Sequence, residues 1–471
     1  MHKRVYEVVV IGGGIAGLAA AHALGSADDV RVTVLEGSAV VGGKLRVSDI
    51  AGLPVDEGAE QFLVRPSDAL DLVRAVGLGD DVVHPVAIGA SVWTRGRLRP
   101  LPGGTVLGVP ADPWAVARSG VLSPGGLARA GADAVLPRTP IGEDISVGAY
   151  VRARVGAQVV DQLVDPLLGG VYAGQADHLS LAATVPQLDA HVRRHRTLLG
   201  AARAAREATG PIDGPVFASV RGGLGRLPAA VVASMPATIR TGATVREVMQ
   251  TQRGFRVVVG DTRDPQPMHA DAVLVAVPAR PAARLLSGVS PAASELVGVL
   301  DYASVAVVTL AYQRADVPAL SGTGFLVPAV VGRTTKAVTY ASAKWAHLDG
   351  SDLIIVRASV GRYGDEHVLQ RSDADIAVAV EADLAAVIGL RAAPVATRVT
   401  RWGGGLPQYA PGHVDRVRRA RAALPDRLAV CGASYDGVGI PACVRSGRDA
   451  ARALLGVLRQ SDRGRDEEEG A

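Results

Sequence analysis

The sequence predicts an α/β protein built from a Rossmann-like nucleotide-binding lobe, a mixed-sheet lobe and an inserted helical lobe. Three observations predict it: an apolar β-branched run ending in a glycine cluster near the start, an Ala/Arg/Leu/Val-rich middle at helical spacing, and strand-like runs that return after it. A chain of 471 residues exceeds one compact core and suffices for two or three lobes around a large ligand.

Residues 5–11 are the opening apolar run, ending at Gly12-Gly13-Gly14. Residues 15–24 are rich in Ala and Leu and stop at Gly25, and residues 31–35 form a second β-branched run. Strand, tight turn, helix and strand in that order open a βαβ unit. From about residue 110 to 208 the spacing is helical, broken by clusters such as Leu136-Pro137-Arg138-Thr139-Pro140. Strand signals return at residues 239–245, 255–259, 272–277, 304–311, 336–341 and 353–358, and they predict sheets of mixed direction. Residues 428–458 read as a short strand, a glycine-rich turn and a helix from Ala442, and residues 461–471 as a disordered acidic tail.

Hydrophobic residues make up 48% and charged residues 20%, a globular balance. No uninterrupted apolar run reaches membrane-spanning length, and the apolar start carries glycines where a signal peptide would carry a cleavage site, so a cytoplasmic protein is expected. Cys431 and Cys443 form no CxxC pair and no metal-like cluster with the scattered histidines. The formal charge of +4 hides an asymmetry: the tail carries five acids against two arginines, leaving residues 1–460 at +7, which suits an anionic ligand. No basic stretch interleaved with aromatics supports nucleic-acid binding. GxSxG, HExxH and Walker motifs are absent, so no side chain is assigned a catalytic role.

Gly12-x-Gly14-x-x-Gly17 has a mechanical basis: Gly12 for the turn, Gly14 for close approach of amides to a pyrophosphate, Gly17 for helix–strand packing. Ile15 and Ala16 begin the helix whose N-terminus faces the phosphates. Glu36 ends the second strand, where a carboxylate accepts hydrogen bonds from ribose hydroxyls. Val245 is a further cofactor candidate. Next, Val41-Gly42-Gly43-Lys44-Leu45-Arg46 resembles the glycine-pair motif of the amine oxidase and phytoene desaturase superfamily of flavoproteins, which makes FAD the implied cofactor. The turn from Gly432 through Val438, Gly439, Ile440 and Pro441 is similar to the superfamily's C-terminal cofactor turn, which aims a helix N-terminus at the flavin.

The resemblance narrows at Pro166-Leu167-Leu168-Gly169-Gly170-Val171-Tyr172-Ala173-Gly174-Gln175 and at Gly58-Ala59-Glu60-Gln61-Phe62-Leu63-Val64-Arg65-Pro66. With the C-terminal turn, these resemble the protoporphyrinogen oxidase / coproporphyrinogen III oxidase family over nearly the whole chain. That resemblance implies a discontinuous FAD-binding domain (1–64, 215–284, 395–460), a substrate-binding domain (65–109, 285–394) and a helical insertion domain (110–214). It implies three two-electron hydride transfers from a porphyrinogen to the flavin N5, with oxygen as acceptor and peroxide as product.

Substrate carboxylates need cations. Arg65 stands where the family motif places a basic residue facing the cavity, and Lys336, Tyr340, Lys344 and Trp345 cluster in sequence, two of the chain's four lysines among them. Gly169, Gly170 and Tyr172 are expected to line the cavity. Both coproporphyrinogen III and protoporphyrinogen IX remain candidates, and the positive body favours the former, which carries four propionates. An amine oxidase or desaturase shares the FAD motifs, although only 4% of residues are aromatic, too few to favour an amine-oxidase cage. A non-enzymatic flavin carrier is the remaining alternative. Transient contact with a ferrochelatase and contact of the helical insertion with a membrane surface also stay open.

Overall fold

A computed structural model describes residues 4–210 and 214–469, with side chains as far as residue 460. The first run forms strand Tyr6–Ile11, the centre of a five-stranded parallel sheet. Its order is Ala237–Arg240, Val30–Leu35, Tyr6–Ile11, Ala272–Val275, Leu428–Val430. A parallel sheet must be covered on both faces. Val8 and Val10 pack with helix Ile15–Gly25, whereas Val9 and Ile11 pack on the opposite side with helix Ala279–Leu286. Helix Ile15–Gly25 lies against the last helix, Ile440–Glu469, so closely that a Cβ on Gly447 would come within 2.1 Å of the Ala16 carbonyl oxygen.

Residues 239–245, expected as one strand, divide. Strand Ala237–Arg240 ends at the positive-φ Gly242, and Val245–Thr251 begins a separate antiparallel sheet with Gly254–Val259 and Gln266–Ala270.

The second large sheet has seven strands in the order Ala396–Pro407, Tyr302–Gln313, Leu353–Val360, Thr335–Tyr340, Gly324–Leu326, Ser91–Thr94, Arg97–Pro100. Its pairings are antiparallel except Gly324–Leu326 with Ser91–Thr94. Period two sorts its side chains. Ala306, Val308, Leu310 and Tyr312, with Ile354, Val356, Ala358 and Val360, form a core under helix Asp373–Ile388. Val305, Val307 and Thr309, with Ile355, Arg357 and Ser359, therefore point to the other face. The strand expected over residues 336–341 stops at Tyr340, and Ala341 opens the short helix Ala341–Lys344.

Residues 113–209 form the helical lobe with its own core, including Val147, Tyr150, Leu163 and Leu168. Asp112, Ser123, Ser146, Ser180 and Thr197 cap its helices by accepting from backbone amides, as short polar side chains do at N-caps. Arg154 and Asp133, both without solvent exposure, pair at 2.6 Å inside it. A π-helical turn, Val160–Val164, leads into helix Asp165–Tyr172, which carries the glycine pair. The final helix differs from expectation at both ends. It starts at Ile440 rather than Ala442, and its backbone continues through Glu469 where a disordered tail was expected, the Arg/Glu-rich composition favouring helix. Residues 470 and 471 lie outside the described residues.

Candidate functional site

The first glycine turn separates structural from open positions. An added Cβ on Gly12, at φ 110°, would lie 2.8 Å from the Ala276 carbonyl oxygen, and one on Gly17 would lie 2.0 Å from the Gly12 oxygen. Those glycines are fixed by packing. At Gly14 a Cβ would meet nothing within 4 Å, and helix Ile15–Gly25 begins there with no side-chain cap. Uncapped amides facing open space are what a pyrophosphate requires. Ala16, on this helix, is buried against the last helix, and Ile15 is half-buried beside it.

Glu36 lies at the same turn: its Oε2 accepts from Gly13 N at 2.7 Å and its Oε1 from Ser38 N at 2.8 Å. The segment after strand Ala237–Arg240 runs alongside, Ala243 N donating to Glu36 O at 2.8 Å, which brings half-buried Val245 to this end of the site. The second glycine pair closes over the first turn. Gly42 N donates to Gly13 O at 2.8 Å, and Gly42 and Gly43 have φ of 109° and 59°. Lys44 follows the pair with its side chain exposed.

The C-terminal turn is equally braced. Gly432, at φ 109°, donates from N to Ser446 Oγ at 2.9 Å. Gly437 N donates to the Tyr409 hydroxyl at 3.0 Å. Val438 packs toward the helical core, and Gly439 leads into buried Ile440 at the helix start. Cys431 and Cys443 are free, buried thiols whose pKa values burial raises. A groove of about 510 Å³ lined by Arg421, Leu428, Val430, Asp436 and Arg445 lies along the sheet's outer strand, beside the C-terminal turn and apart from the Gly12–Gly17 turn. The open Gly14 position, the uncapped helix and the Glu36 carboxylate together fit FAD.

On the substrate side, helix Asp165–Tyr172 packs on strands Gly324–Leu326 and Thr335–Tyr340. A Cβ on Gly170 would lie 3.9 Å from Leu326 Cδ2, and both Gly170 and Val171 are exposed. Below them, Val307, Ala337, Thr339 and Ser359 remain partly exposed in the middle of the seven-stranded sheet, on the face away from helix Asp373–Ile388. Arg65 is exposed in the turn before helix Asp68–Ala75. Two expectations change here. The ring of Tyr172 is buried and meets Tyr409 edge-on at 5.6 Å, so it braces the C-terminal turn, and burial pushes its pKa to about 12. Tyr340 packs on Phe325 in the core under the helix, because its strand parity turns it from the cavity face. Lys336 and Lys344 also part company. Lys336 is buried with Nζ donating to Gly361 O at 2.9 Å, whereas Lys344 reaches Glu60 at 2.5 Å and Trp345 packs with Ile50 and Val55.

Sequence reasoning did not foresee the charge cluster at Glu60. Glu60 pairs with Lys344 and with Arg357, whose Nη2 also donates to Gly58 O at 2.7 Å. Burial alone would raise the Glu60 pKa, but the two cations outweigh it and hold it at about 2. Asp56 beside them is raised to about 6 by burial, against the pull of Arg357. Glu60 lies within a recognised motif, but its partners come from residues nearly 300 positions later.

A family model for flavin containing amine oxidoreductases matches residues 15–455. The chain belongs to that family. Among this flavoprotein's curated relatives, the coproporphyrinogen III oxidase of Mycobacterium tuberculosis (strain ATCC 25618 / H37Rv) is 38% identical over 96% of this chain and 97% of its own. The coproporphyrinogen III oxidase of Bacillus subtilis (strain 168) is 34% identical over 96% and 98%. A solved structure from Exiguobacterium sp. 255-15, provisionally named protoporphyrinogen oxidase, superposes with a TM-score of 0.83 at 30% identity, over 95% of this chain and 98% of that one. The flavoprotein is an FAD-dependent oxidoreductase of mixed α/β architecture. Among its described residues no helix is long and apolar enough to cross a membrane, and no cluster of His, Cys, Asp and Glu is placed to hold a metal.

Proposed function

We propose that this flavoprotein oxidises coproporphyrinogen III to coproporphyrin III, with oxygen as the final acceptor. The observation that carries the reading is the partly exposed sheet floor of Val307, Ala337, Thr339 and Ser359 beside helix Asp165–Tyr172, whose Gly170 approaches Leu326 of the same sheet. The centre of a sheet is ordinarily sealed by a packed layer. Small side chains left open below a pair of glycines suit a flat macrocycle, and the names of the full-length relatives supply its identity.

The chemistry FAD supplies when bound is two-electron acceptance from carbon, three times for each porphyrin, with peroxide formed from oxygen. The protein's own part is positional. Gly12, Gly14, Gly17, Glu36, Gly42, Gly43, Gly432 and Gly439 hold the cofactor, and Lys44 places a cation beside it. The sheet floor and the glycine pair hold a bridge carbon in place and exclude water. Loss of hydride leaves a cation that the adjoining pyrrole nitrogens stabilise, so no strong general base is required. Arg65 grips a propionate arm.

The test is to purify the yellow protein, supply each porphyrinogen under air and follow porphyrin fluorescence. A greater kcat/KM on coproporphyrinogen III is expected, and a greater kcat/KM on protoporphyrinogen IX would overturn the substrate assignment.

A further inference from the structure

Two cations are buried at one end of the cavity floor. Lys336 is 6% exposed and Arg362 is 9% exposed. Their hydrogen-bond partners are carbonyl oxygens: Lys336 Nζ donates to Gly361 O at 2.9 Å, and Arg362 Nη2 donates to Val327 O at 2.9 Å. Neither takes part in an ion pair among the described residues. An ammonium offers three donors and a guanidinium five, so most of their capacity goes unused.

Burying like charges side by side without an anion is costly, and proteins tolerate it where a ligand completes the site. The other buried lysines and arginines among the described residues show the usual solution. Arg357 and Lys344 share Glu60, and Arg154 is paired with Asp133.

The acids around the pair are already engaged. Asp383, on helix Asp373–Ile388, holds Arg333 at 3.0 Å and accepts from Thr335 N at 2.9 Å. Asp165, on the helix bearing the glycine pair, accepts from Ala176 N at 2.8 Å, and burial raises its pKa. Asp365 pairs with His367. Asp165, Asp365 and Asp383 act on Arg362 only through space, and burial still lowers its pKa overall.

The pair also adjoins the cavity. Val327, which holds Arg362, follows Leu326, the residue facing Gly170, and Val327 N donates to Lys336 O at 2.9 Å. Tyr363, next to Arg362, donates from N to Ala173 O at 2.7 Å, which ties this corner to the end of helix Asp165–Tyr172.

We infer that Lys336 and Arg362 form a buried carboxylate subsite that receives one propionate of the substrate, at the opposite role from Arg65 on the surface turn. This assignment rests on the proposed porphyrinogen reading and specifies how one arm is held. Burial, with Arg362 adding to it, brings the Lys336 pKa down to about 7 in the free protein, and an arriving carboxylate draws a proton onto it. Propionates stay ionised throughout the neutral range, so affinity follows the charge on Lys336: strong below pH 7, weaker above it.

The test is binding of coproporphyrin III to the FAD-loaded protein, read by quenching of porphyrin fluorescence between pH 6 and 8.5. Wild-type affinity is expected to fall as pH rises through about 7. Lys336→Arg keeps the charge at every pH and flattens the profile, and Lys336→Met weakens binding at pH 6 by about tenfold or more. Arg362→Lys, read the same way, weakens binding and keeps the pH dependence. FAD content and melting temperature identify any variant that misfolds, and Lys336→Arg carries the conclusion if Lys336→Met is lost. Wild-type and Lys336→Arg profiles that coincide, or Lys336→Met binding within twofold of wild type, overturn the subsite while leaving the enzyme assignment intact. A wild-type protein that binds no porphyrin and oxidises no porphyrinogen overturns both.

Discussion

Glu60 and Arg357 face each other across the junction of the cofactor lobe and the seven-stranded sheet, and Lys344 completes the pairing from 2.5 Å on the carboxylate's other oxygen. Glu60→Gln leaves two nearly buried cations sharing a neutral amide. Loss of about 3 kcal/mol of stability is expected from urea titration at pH 7. Because the folded pKa lies near 2, below the ordinary 4.5, the stabilisation is full above pH 4.5 and drains as pH falls toward 2. An unfolding midpoint for Glu60→Gln within 0.5 M urea of wild type would contradict this account.

His413 gives a second pH dependence with a different window. Its ring stacks on Tyr409 at 4.0 Å, and burial, helped by Arg416, lowers its pKa to about 4. The folded protein keeps this histidine neutral, so its contribution is complete above pH 6.5 and is lost as pH falls from 6.5 toward 4. His413→Phe keeps the stacking surface. The variant is expected to lose less stability than wild type between pH 7 and pH 4.5, by about 2 kcal/mol in paired denaturation curves.

The two glycines of the first turn are expected to fail differently when replaced. Gly14→Ala adds a methyl to open space at a φ of −71°, so the apoprotein keeps its melting temperature while FAD affinity falls by about tenfold or more. Gly17→Ala drives a methyl onto the Gly12 carbonyl and is expected to abolish folding of the lobe. Circular dichroism melting and flavin titration separate the two outcomes. Equal melting temperatures would show that the turn yields more than its packing allows.

Arg65→Ala is expected to raise KM for coproporphyrinogen III about tenfold with kcat nearly unchanged, because a propionate grip acts on ground and transition states alike. A fall in kcat at constant KM would place Arg65 in the reaction itself.

The cofactor cradle was the most legible part of the chain because its contacts are local. Gly12, Gly14, Gly17 and Glu36 lie within 25 residues, and the backbone demands of a turn select glycine whatever the rest does. The seven-stranded sheet was legible as strands and illegible as faces. Tyr340 and Lys336 sit in one strand near a register shift between Thr335 and Ala337, and the direction of a side chain there depends on which neighbour pairs with it. Long-range partners were hidden altogether. Nothing near Glu60 announces Arg357, and nothing near Tyr172 announces Tyr409, since those contacts exist only after the lobes assemble. Acidic residues after Ser461 read as a tail by charge, yet their backbone continues the helix, because Glu and Arg serve a helix as well as they serve a solvated coil.

The parallel sheet draws its strands from residue 6 to residue 430, with Tyr6–Ile11 at the centre and Leu428–Val430 at the edge. During synthesis the nucleotide turn therefore leaves the ribosome long before the helix that seals it, and Gly447 must find Ala16 across nearly the entire nascent chain. Until then the side of helix Ile15–Gly25 that meets the last helix has no lasting partner. A chain stopped before residue 428 holds four of the five strands and lacks both the edge strand and the sealing helix, so its nucleotide turn stands open on that side.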